Sequence, residues 1–215
     1  MAFINLKEKE ILCKIVYYGP ARSGKTTNLE YIHNSLQDRI KSKMVTINTK
    51  GDRTLFFDFL PLDLGKVFGL SIRLQIYTVP GQVIYNATRK LVLKGVDGVL
   101  FVADSLRGRR LANKESLEDL AKNLDDYGLS LYKIPLVLQY NKRDLANEDL
   151  PLLTVESLEK DLNNKLQVPF FLASALYGDG VFEALRTIAK ISIKHISGKI
   201  FQEGIIKEKI YANGK

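Results

Sequence analysis

The chain carries the segment GPARSGKTTN from Gly19 to Asn28, and the rest of its organisation can be read from there. Residues 19–26 match the spacing G-x-x-x-x-G-K-[S/T]. An apolar run precedes the match and a helix-forming stretch follows it, which is the strand–loop–helix setting in which such a loop binds phosphate. The sequence therefore predicts a phosphate-binding loop.

Each residue type in this loop suits a phosphate ligand. The glycines let the backbone approach closely enough for its N–H groups to point at phosphate oxygens. Lys25 supplies a charge to the β- and γ-phosphates, and the Thr26 hydroxyl is a ligand for Mg²⁺. A helix beginning near Lys25 adds the positive end of its dipole. The predicted phosphate-binding set is Gly19, Ala21, Arg22, Ser23, Gly24, Lys25, Thr26 and Thr27.

Apolar runs and helical patterns alternate along the chain. We predict strands over residues 12–18, 44–48, 70–79, 98–104, 134–141 and 168–174. We predict helices over 25–37, 112–127, 155–166 and 180–196, with Thr154 capping the third. This alternation is typical of an α/β fold with a central, mostly parallel sheet and helices on both faces.

The domain organisation follows from length and composition. The chain has 215 residues, 46% of them hydrophobic, and no linker-like tract, so we expect one domain over residues 1–198. For the tail, residues 199–215, the alternatives are disorder or a short added strand. The single cysteine, Cys13, excludes an internal disulfide framework and fits a buried position in a reducing compartment.

Location and partner class are constrained by charge and hydropathy. The chain begins with no secretion signal and has no apolar run near the ~20 residues that span a bilayer, so we expect a cytoplasmic protein. The net charge is +8, but the basic residues are scattered and accompany no nucleic-acid motif. We therefore expect no nucleic-acid partner, and membrane association that is at most weak and peripheral.

Two further segments point to the base of a nucleotide. NKRD at 141–144 follows a predicted strand, where open α/β sheets bind ligands. The Asp144 carboxylate can accept N–H groups from the guanine ring and its 2-amino group, and adenine lacks both donors. We expect Asn141 to brace the loop and Lys142 to cover the ring. In ASAL at 173–176, Ser174, Ala175 and Leu176 are placed to approach the guanine oxygen through main-chain N–H groups, especially that of Ala175.

Longer segments carry a family resemblance. They are KIVYYGP at 14–20, GKTTNL at 24–29, DRTLFFDFLP at 52–61, YTVPGQ at 77–82, RKLVLKGVDGV at 89–99, FVADS at 101–105 and QYNKRDL at 139–145. On these segments the chain resembles the Ras-like small GTPases (P-loop NTPases with a G domain), and among them the bacterial MglA family (mutual gliding-motility protein A). DRTLFFDFLP and TVPGQ are the specific segments, whereas FVADS looks like the Arf branch.

The resemblance implies a molecular switch that binds GTP or GDP with Mg²⁺ and regulates cell polarity and motility. It further implies that Gln82 orients the attacking water, that Arg53 acts as an arginine finger within the chain, and that the Gly81 N–H contacts the γ-phosphate. Thr26 and Thr54 are then the Mg²⁺ ligands. The implied partners are a roadblock-domain GTPase-activating protein (MglB-like, expected to be a homodimer) and polarity or motility effectors, with recruitment to a cell pole.

Two positions depart from the wider pattern. Thr78 stands where Ras-like proteins carry an Mg²⁺-shell Asp, and Ala21 stands where they usually carry Gly. We expect hydrolysis that is slow unless a partner stimulates it. One alternative is a catalytically impaired GTP-binding scaffold, owing to Ala21 and Thr78. Another is a metabolic enzyme with a phosphate loop, such as a nucleotide kinase, although that class has no use for NKRD. Asp52 and Asp58 are candidates to substitute for the missing carboxylate, but we do not include them in the predicted site.

Overall fold

A computed structural model of the chain describes residues 3–5, 9–36, 45–48, 56–67 and 70–202. The strands are β1 Phe3–Asn5, β2 Glu10–Tyr18, β3 Val45–Asn48, β4 Phe56–Val67, β5 Leu70–Thr78, β6 Gly98–Asp104, β7 Leu136–Asn141 and β8 Phe170–Leu172. The helices are α1 Lys25–Ser35, α2 Asn86–Leu93, α3 Arg110–Asp125, α4 Val155–Leu158 and α5 Val181–Gln202. This order confirms the predicted α/β alternation.

The strands form one sheet in the order β3-β4-β5-β2-β6-β7-β8, with β1 beside the start of β2. Strands β5, β2, β6, β7 and β8 pair in parallel, so their carboxyl ends meet at one edge. Strand β4 runs antiparallel to β5, and β3 antiparallel to β4. The mostly parallel sheet is therefore as predicted, and its carboxyl edge is where the candidate residues converge.

Helices cover both faces of the sheet, as predicted, because alternate side chains of β2 point to opposite sides. Cys13, Ile15 and Tyr17 are buried with residues of α1 and α5, whereas Val16 and Tyr18 are buried with residues of α2, α3 and α4. Burial raises the pKa of the Cys13 thiol well above its usual value, as for an inert core cysteine.

Some element bounds differ from those predicted. Strand β4 was not predicted from its pattern, because Pro61 and Gly65 interrupt its alternation. Helix α2 has eight residues, too short for a periodic signal. The predicted helix over 155–166 is a four-residue α-helical turn that continues as a π-helical turn, Glu159–Asn163.

The end of α5 requires a correction of the predicted tail. Helix α5 continues to Gln202 and so passes the predicted boundary at residue 198. Its final residues are therefore helical, neither disordered nor a strand, while residues 203–215 lie outside the described part. Within that part, no helix is both long and apolar enough to cross a membrane.

Candidate nucleotide-binding site

The phosphate loop joins β2 to α1 at the carboxyl edge of the sheet. Gly19 has φ 138° and Gly24 has φ 96°, a region that side chains other than glycine rarely adopt. A Cβ atom on Gly24 would lie 2.2 Å from Asn141 Nδ2, and one on Gly19 would lie 2.2 Å from the Val102 carbonyl oxygen. Both glycines are thus required by backbone angle and by space.

Lys25, the predicted phosphate-binding cation, is buried inside this loop. Its ammonium group donates hydrogen bonds to the carbonyl oxygens of Gly19 (2.9 Å) and Pro20 (2.6 Å). Burial, and then the nearby guanidinium groups of Arg89 and Arg109, lower the pKa of Lys25 to about 7. Lys25 therefore has too little negative charge around it to stabilise its protonated form fully, and it lies at the point where the motif places phosphate.

Thr26 lies in a second polar contact, which we call the carboxylate cluster (Thr26, Asp58 and Thr78). The Thr26 hydroxyl donates to Asp58 Oδ2 at 2.7 Å, and the Thr78 hydroxyl donates to the same oxygen at 2.9 Å. The Asp58 N–H in turn donates to Thr78 Oγ1 at 2.9 Å. The antiparallel pairing of β4 with β5 brings Asp58 opposite Thr78, so a buried carboxylate lies beside the predicted Mg²⁺ ligand.

The loop after β5 packs directly on the phosphate loop. A Cβ atom on Gly81 would lie 2.3 Å from the backbone nitrogen of Ala21 and 2.4 Å from its Cα, so only glycine fits. Gln82 is exposed next to it. This packing brings Gly81 and Gln82, both predicted from TVPGQ, to the phosphate loop.

Arg89 of α2 holds this loop in place. The residue is only 5% exposed, and its guanidinium group donates to the carbonyl oxygens of Gln82 (2.5 Å) and Pro80 (3.4 Å). Its Nε donates to Asp119 of α3 at 2.8 Å, and the Tyr18 hydroxyl donates to the same carboxylate at 2.5 Å. Arg89 thus holds the Pro80–Gly81 and Gln82–Val83 peptide groups against the helix layer.

The base-recognition loops (residues 141–144 and 173–176) are joined to the phosphate loop through Asn141. Its Nδ2 donates to the Ser23 carbonyl oxygen at 2.7 Å, and its Oδ1 accepts from the Ala175 N–H at 2.8 Å. All three predicted segments therefore meet at one buried side chain. The Ala175 N–H, expected to reach the guanine oxygen, is already engaged by Asn141, and a guanine contact would share that proton.

The carboxylate expected to select guanine is open to a ligand. Asp144 is partly exposed in the 3-10 turn after β7, and among the described residues none donates a hydrogen bond to its side chain. Lys142 has φ 68° and its ammonium group donates to the buried Asp104 at 2.6 Å. The structure thus places the Lys142 ammonium group on Asp104, and the position of its side chain over a base stays a prediction.

The other predicted binding residues fall around these contacts. Arg22 is exposed with φ 62°, so it can offer the loop its backbone N–H while its side chain faces solvent. Ser23 and Ser174 are buried, Thr27 is partly exposed, and Leu176 is 64% exposed.

Not every functional candidate is accounted for by the sequence. Arg53, Thr54 and Asp52 lie outside the described residues, so their predicted roles stay predictions. Conversely, Arg89 was missed, because a single arginine in a short helix gives no signal of what it contacts. Asp58, considered from the sequence but left out of the predicted site, lies on β4 beside Thr78 of the adjacent strand β5 and accepts from Thr26.

A separate cavity of about 640 Å³ opens between α1, α5 and the β4–β5 edge. Leu62, Leu74, Phe182 and Leu185 line it, and none of the residues that line it belongs to the phosphate loop or the base-recognition loops. The nucleotide candidates at the carboxyl edge of the sheet therefore lie outside this cavity.

Comparison with known proteins identifies relatives over almost the whole chain. Residues 1–192 match the ADP-ribosylation factor (Arf) family. The chain is 54% identical over 196 residues to the mutual gliding-motility protein MglA of Myxococcus xanthus (strain DK1622), covering 91% of this chain and 98% of that protein. It is 23% identical over 201 residues to Ras-related protein Rab-7a of Dictyostelium discoideum, covering 90% and 89%. The matched range contains every site residue described above.

Proposed function

The chain belongs to the ADP-ribosylation factor family of small GTPases, enzymes that bind guanine nucleotides and hydrolyse GTP, and from this premise we propose that it is a molecular switch whose hydrolysis step waits for a protein partner. The observation that carries the proposal is the pair of hydrogen bonds made by Asn141, which join the phosphate loop to both base-recognition loops. A single nucleotide can therefore contact all three segments at once.

We propose that guanine is selected by Asp144. None of the described residues donates a hydrogen bond to its carboxylate. Asp144 lies on a loop that Asn141 and Lys142 hold in place. An adenine base would cover the Asp144 carboxylate without donating to it, and an acceptor left buried and unpaired costs about 1–3 kcal/mol, and more if it is charged. Adenine nucleotides would therefore bind much less tightly. This supports GTP and GDP as ligands over their adenine counterparts.

Slow hydrolysis without a partner follows from the state of Gln82. Its carbonyl oxygen is fixed by Arg89, but its side chain is exposed, and the described residues give its amide no partner. A water molecule would therefore not be oriented reliably for attack. We propose that a partner places Gln82 and Arg53, since a well-placed arginine contributes about 10³–10⁵ in rate.

The carboxylate cluster supports a Mg²⁺ site. Mg²⁺ prefers oxygen ligands and keeps several waters, so a threonine hydroxyl, one carboxylate and nucleotide phosphates suffice. We propose that Thr26 and, in the GTP state, Thr54 hold the ion, and that Asp58 takes the role of the carboxylate missing at Thr78. When bound, the ion neutralises charge on the phosphates. The chain's own contribution is to orient Thr26 through Asp58.

The biological setting is proposed from the relatives. The printed name of the Myxococcus xanthus relative ties that protein to gliding motility, and we propose a role in polarity and motility for this chain, with recruitment to a cell pole. A roadblock-domain, MglB-like partner and separate effectors would recognise the switch. Ile84 and Leu91, which follow Gln82, are 79% and 53% exposed and give such partners an apolar contact surface.

One observation favours the alternative of a GTP-binding scaffold. The backbone of Ala21 is in direct contact with Gly81, so the Ala21 methyl group lies at the point where the hydrolysis machinery must assemble. An extra methyl there can hold Gln82 away from the γ-phosphate. Binding would then persist without turnover.

Single-turnover GTP hydrolysis, with and without a roadblock-domain partner, tests the proposal. We expect slow turnover alone and acceleration by about 10³ or more with the partner. Arg53→Ala should lose most of that acceleration while it keeps GDP affinity. No acceleration with a partner that binds would favour the scaffold. Acceleration that is unchanged in Arg53→Ala would refute the proposed role of Arg53. Competition by ATP against GTP tests base selection in the same assay.

A further inference from the structure

Three arginines in the turn after β6 have different surroundings. Arg107 is exposed, and Arg110 pairs with Asp161 on the surface through bonds of 2.6 and 3.0 Å. Arg109 instead turns toward the phosphate loop, where its Nη2 donates to the Ala21 carbonyl oxygen at 2.8 Å. No family motif in the sequence marks this residue.

Arg109 also approaches a buried carboxylate. Asp104, the last residue of β6, is 1% exposed, and its Oδ2 lies 3.8 Å from Arg109 Nε. The same oxygen accepts from the Lys142 ammonium group at 2.6 Å, and Oδ1 accepts from the Leu106 N–H at 3.0 Å. Asp104 therefore lies between a cation of the base-recognition loops and a cation that holds the phosphate loop.

Fixing the Ala21 carbonyl fixes the next N–H group. The Ala21 C=O and the Arg22 N–H belong to one planar trans peptide group and point in opposite directions. With its carbonyl oxygen turned out to Arg109, this peptide group directs the Arg22 N–H to the other side of the loop. Arg22 has φ 62°, a left-handed conformation that is unfavourable for a residue with a side chain, and the bond from Arg109 helps to keep this geometry.

We propose that Arg109 is a positioning residue for nucleotide retention. It holds the Ala21–Arg22 peptide group in the orientation that presents an N–H to phosphate, and through Asp104 it links that orientation to Lys142. The inference rests on the proposed function in taking residues 19–26 as the phosphate site. It adds a contact that controls how long the nucleotide stays bound.

The test is the release rate of a fluorescent GDP analogue from the full chain with Mg²⁺. We expect Arg109→Ala to release GDP about tenfold or more faster, as expected for loss of one charge-assisted hydrogen bond. Arg109→Lys should be intermediate, because an ammonium group can still donate one bond to the Ala21 carbonyl oxygen. Arg107→Ala, which removes the same charge from the same turn, should stay within about twofold of the unchanged chain.

A second readout separates positioning from plain stabilisation. Preference for GTP over ATP should be unchanged in Arg109→Ala, because Asp144 is untouched, whereas a general loosening of the site would lower it. Equal release from Arg109→Ala and Arg107→Ala would overturn the inference, as would a loss of base preference that parallels the faster release. If the unchanged chain itself does not retain GDP, the result contradicts the proposed function as a guanine-nucleotide switch. That outcome is seen without any variant and is therefore distinct from a failure of the Arg109 inference.

Discussion

The base-recognition loops and the carboxylate cluster with Lys25 lie at the same sheet edge but satisfy their polar groups in different ways. In the loops, Asn141 bonds to two other segments, and the carboxylate of Asp144 is left available. On the phosphate side, Lys25 bonds to its own loop and Thr26 bonds to Asp58. The first region can keep its internal bonds when a ligand binds, whereas in the second the Lys25 ammonium group must exchange its bonds to carbonyl oxygens for bonds to phosphate.

This difference assigns separate tasks to the two regions. Bonds that need no rearrangement give a preformed surface, and a preformed surface favours selectivity and tight binding. Bonds that a ligand replaces make conformation depend on which ligand is present. We therefore expect changes in the base-recognition loops to alter which nucleotide binds. Changes on the phosphate side should alter the rate of hydrolysis and the dependence of binding on conditions such as pH.

The strongest test of the comparison is Asp144→Asn. Loss of two charge-assisted bonds to guanine should weaken GDP binding by roughly 10²–10⁴-fold, at about 1.5–3 kcal/mol for each bond. Xanthosine diphosphate, which carries an oxygen in place of the 2-amino group, should bind the variant better than GDP because the new amide can donate to it. Competition binding measures both nucleotides. Unchanged selectivity between GDP and ADP in the variant would remove the assigned role of Asp144.

Arg89 provides the corresponding test of the phosphate side. Arg89→Ala leaves the Gln82 and Pro80 carbonyl oxygens without this donor, so partner-stimulated hydrolysis should fall by about 10–100-fold. Selectivity for guanine should not change. Arg89→Lys should recover part of the rate, because one ammonium group can reach one of the two carbonyl oxygens. A rate that is unaffected in Arg89→Ala, measured as single-turnover phosphate release, would show that this loop needs no such support.

Lys25 gives the phosphate side a pH signature that the base-recognition loops lack. Its pKa is about 7 in the structure, and contact with phosphate must raise that pKa, so binding takes up a proton above neutral pH. Affinity for GDP should therefore fall by up to about tenfold per pH unit above 7. Calorimetry at pH 8 in buffers of different ionisation enthalpy measures the uptake directly.

The matched control for this effect is Lys25→Arg, whose guanidinium group stays protonated. The variant should show no proton uptake at pH 8, even if its affinity is lower. Equal uptake by the variant and the unchanged chain would assign the proton to another group.

The smallest effect should come from a site outside both regions. Thr154 caps α4, with its Oγ1 accepting from the Ser157 N–H at 3.2 Å. Thr154→Ala should lower the free energy of unfolding by about 1 kcal/mol, or the melting temperature by about 2–4 °C. Nucleotide release and hydrolysis should be unchanged. An effect on hydrolysis as large as that of Arg89→Ala would mean that the nucleotide site depends on the stability of the α4 cap, contrary to the separation drawn above.

The sequence predicted the local segments of the candidate site more completely than the contacts that join them. NKRD and the phosphate loop act through residues close together in the chain, so their spacing carries the information. Thr154 as a cap was also predicted, and the structure confirms it. Asp58 and Arg109 act across 20 to 88 residues of chain, because pairing of β4 with β5 and packing of the turn before α3 bring them to the site. Arg89 reaches Gln82 and Pro80 across only 7 and 9 residues, but it does so from a short helix that the sequence did not predict. Spacing within one sequence gives no measure of such contacts.

The pairing of β4 with β5 limits how Asp58 could ever leave Thr26. Leu60 and Leu62 face the core on the same side of β4 as Asp58, opposite Ile76 and Leu74. A slide by one residue would turn these leucines out of the core, so only a slide by two residues, about 7 Å, keeps them buried. The irregularity between Asp63 and Lys66 is a place where the strand can absorb extra length. Any change of register at this edge that keeps the two leucines buried would therefore move the Asp58 carboxylate by a full two-residue step.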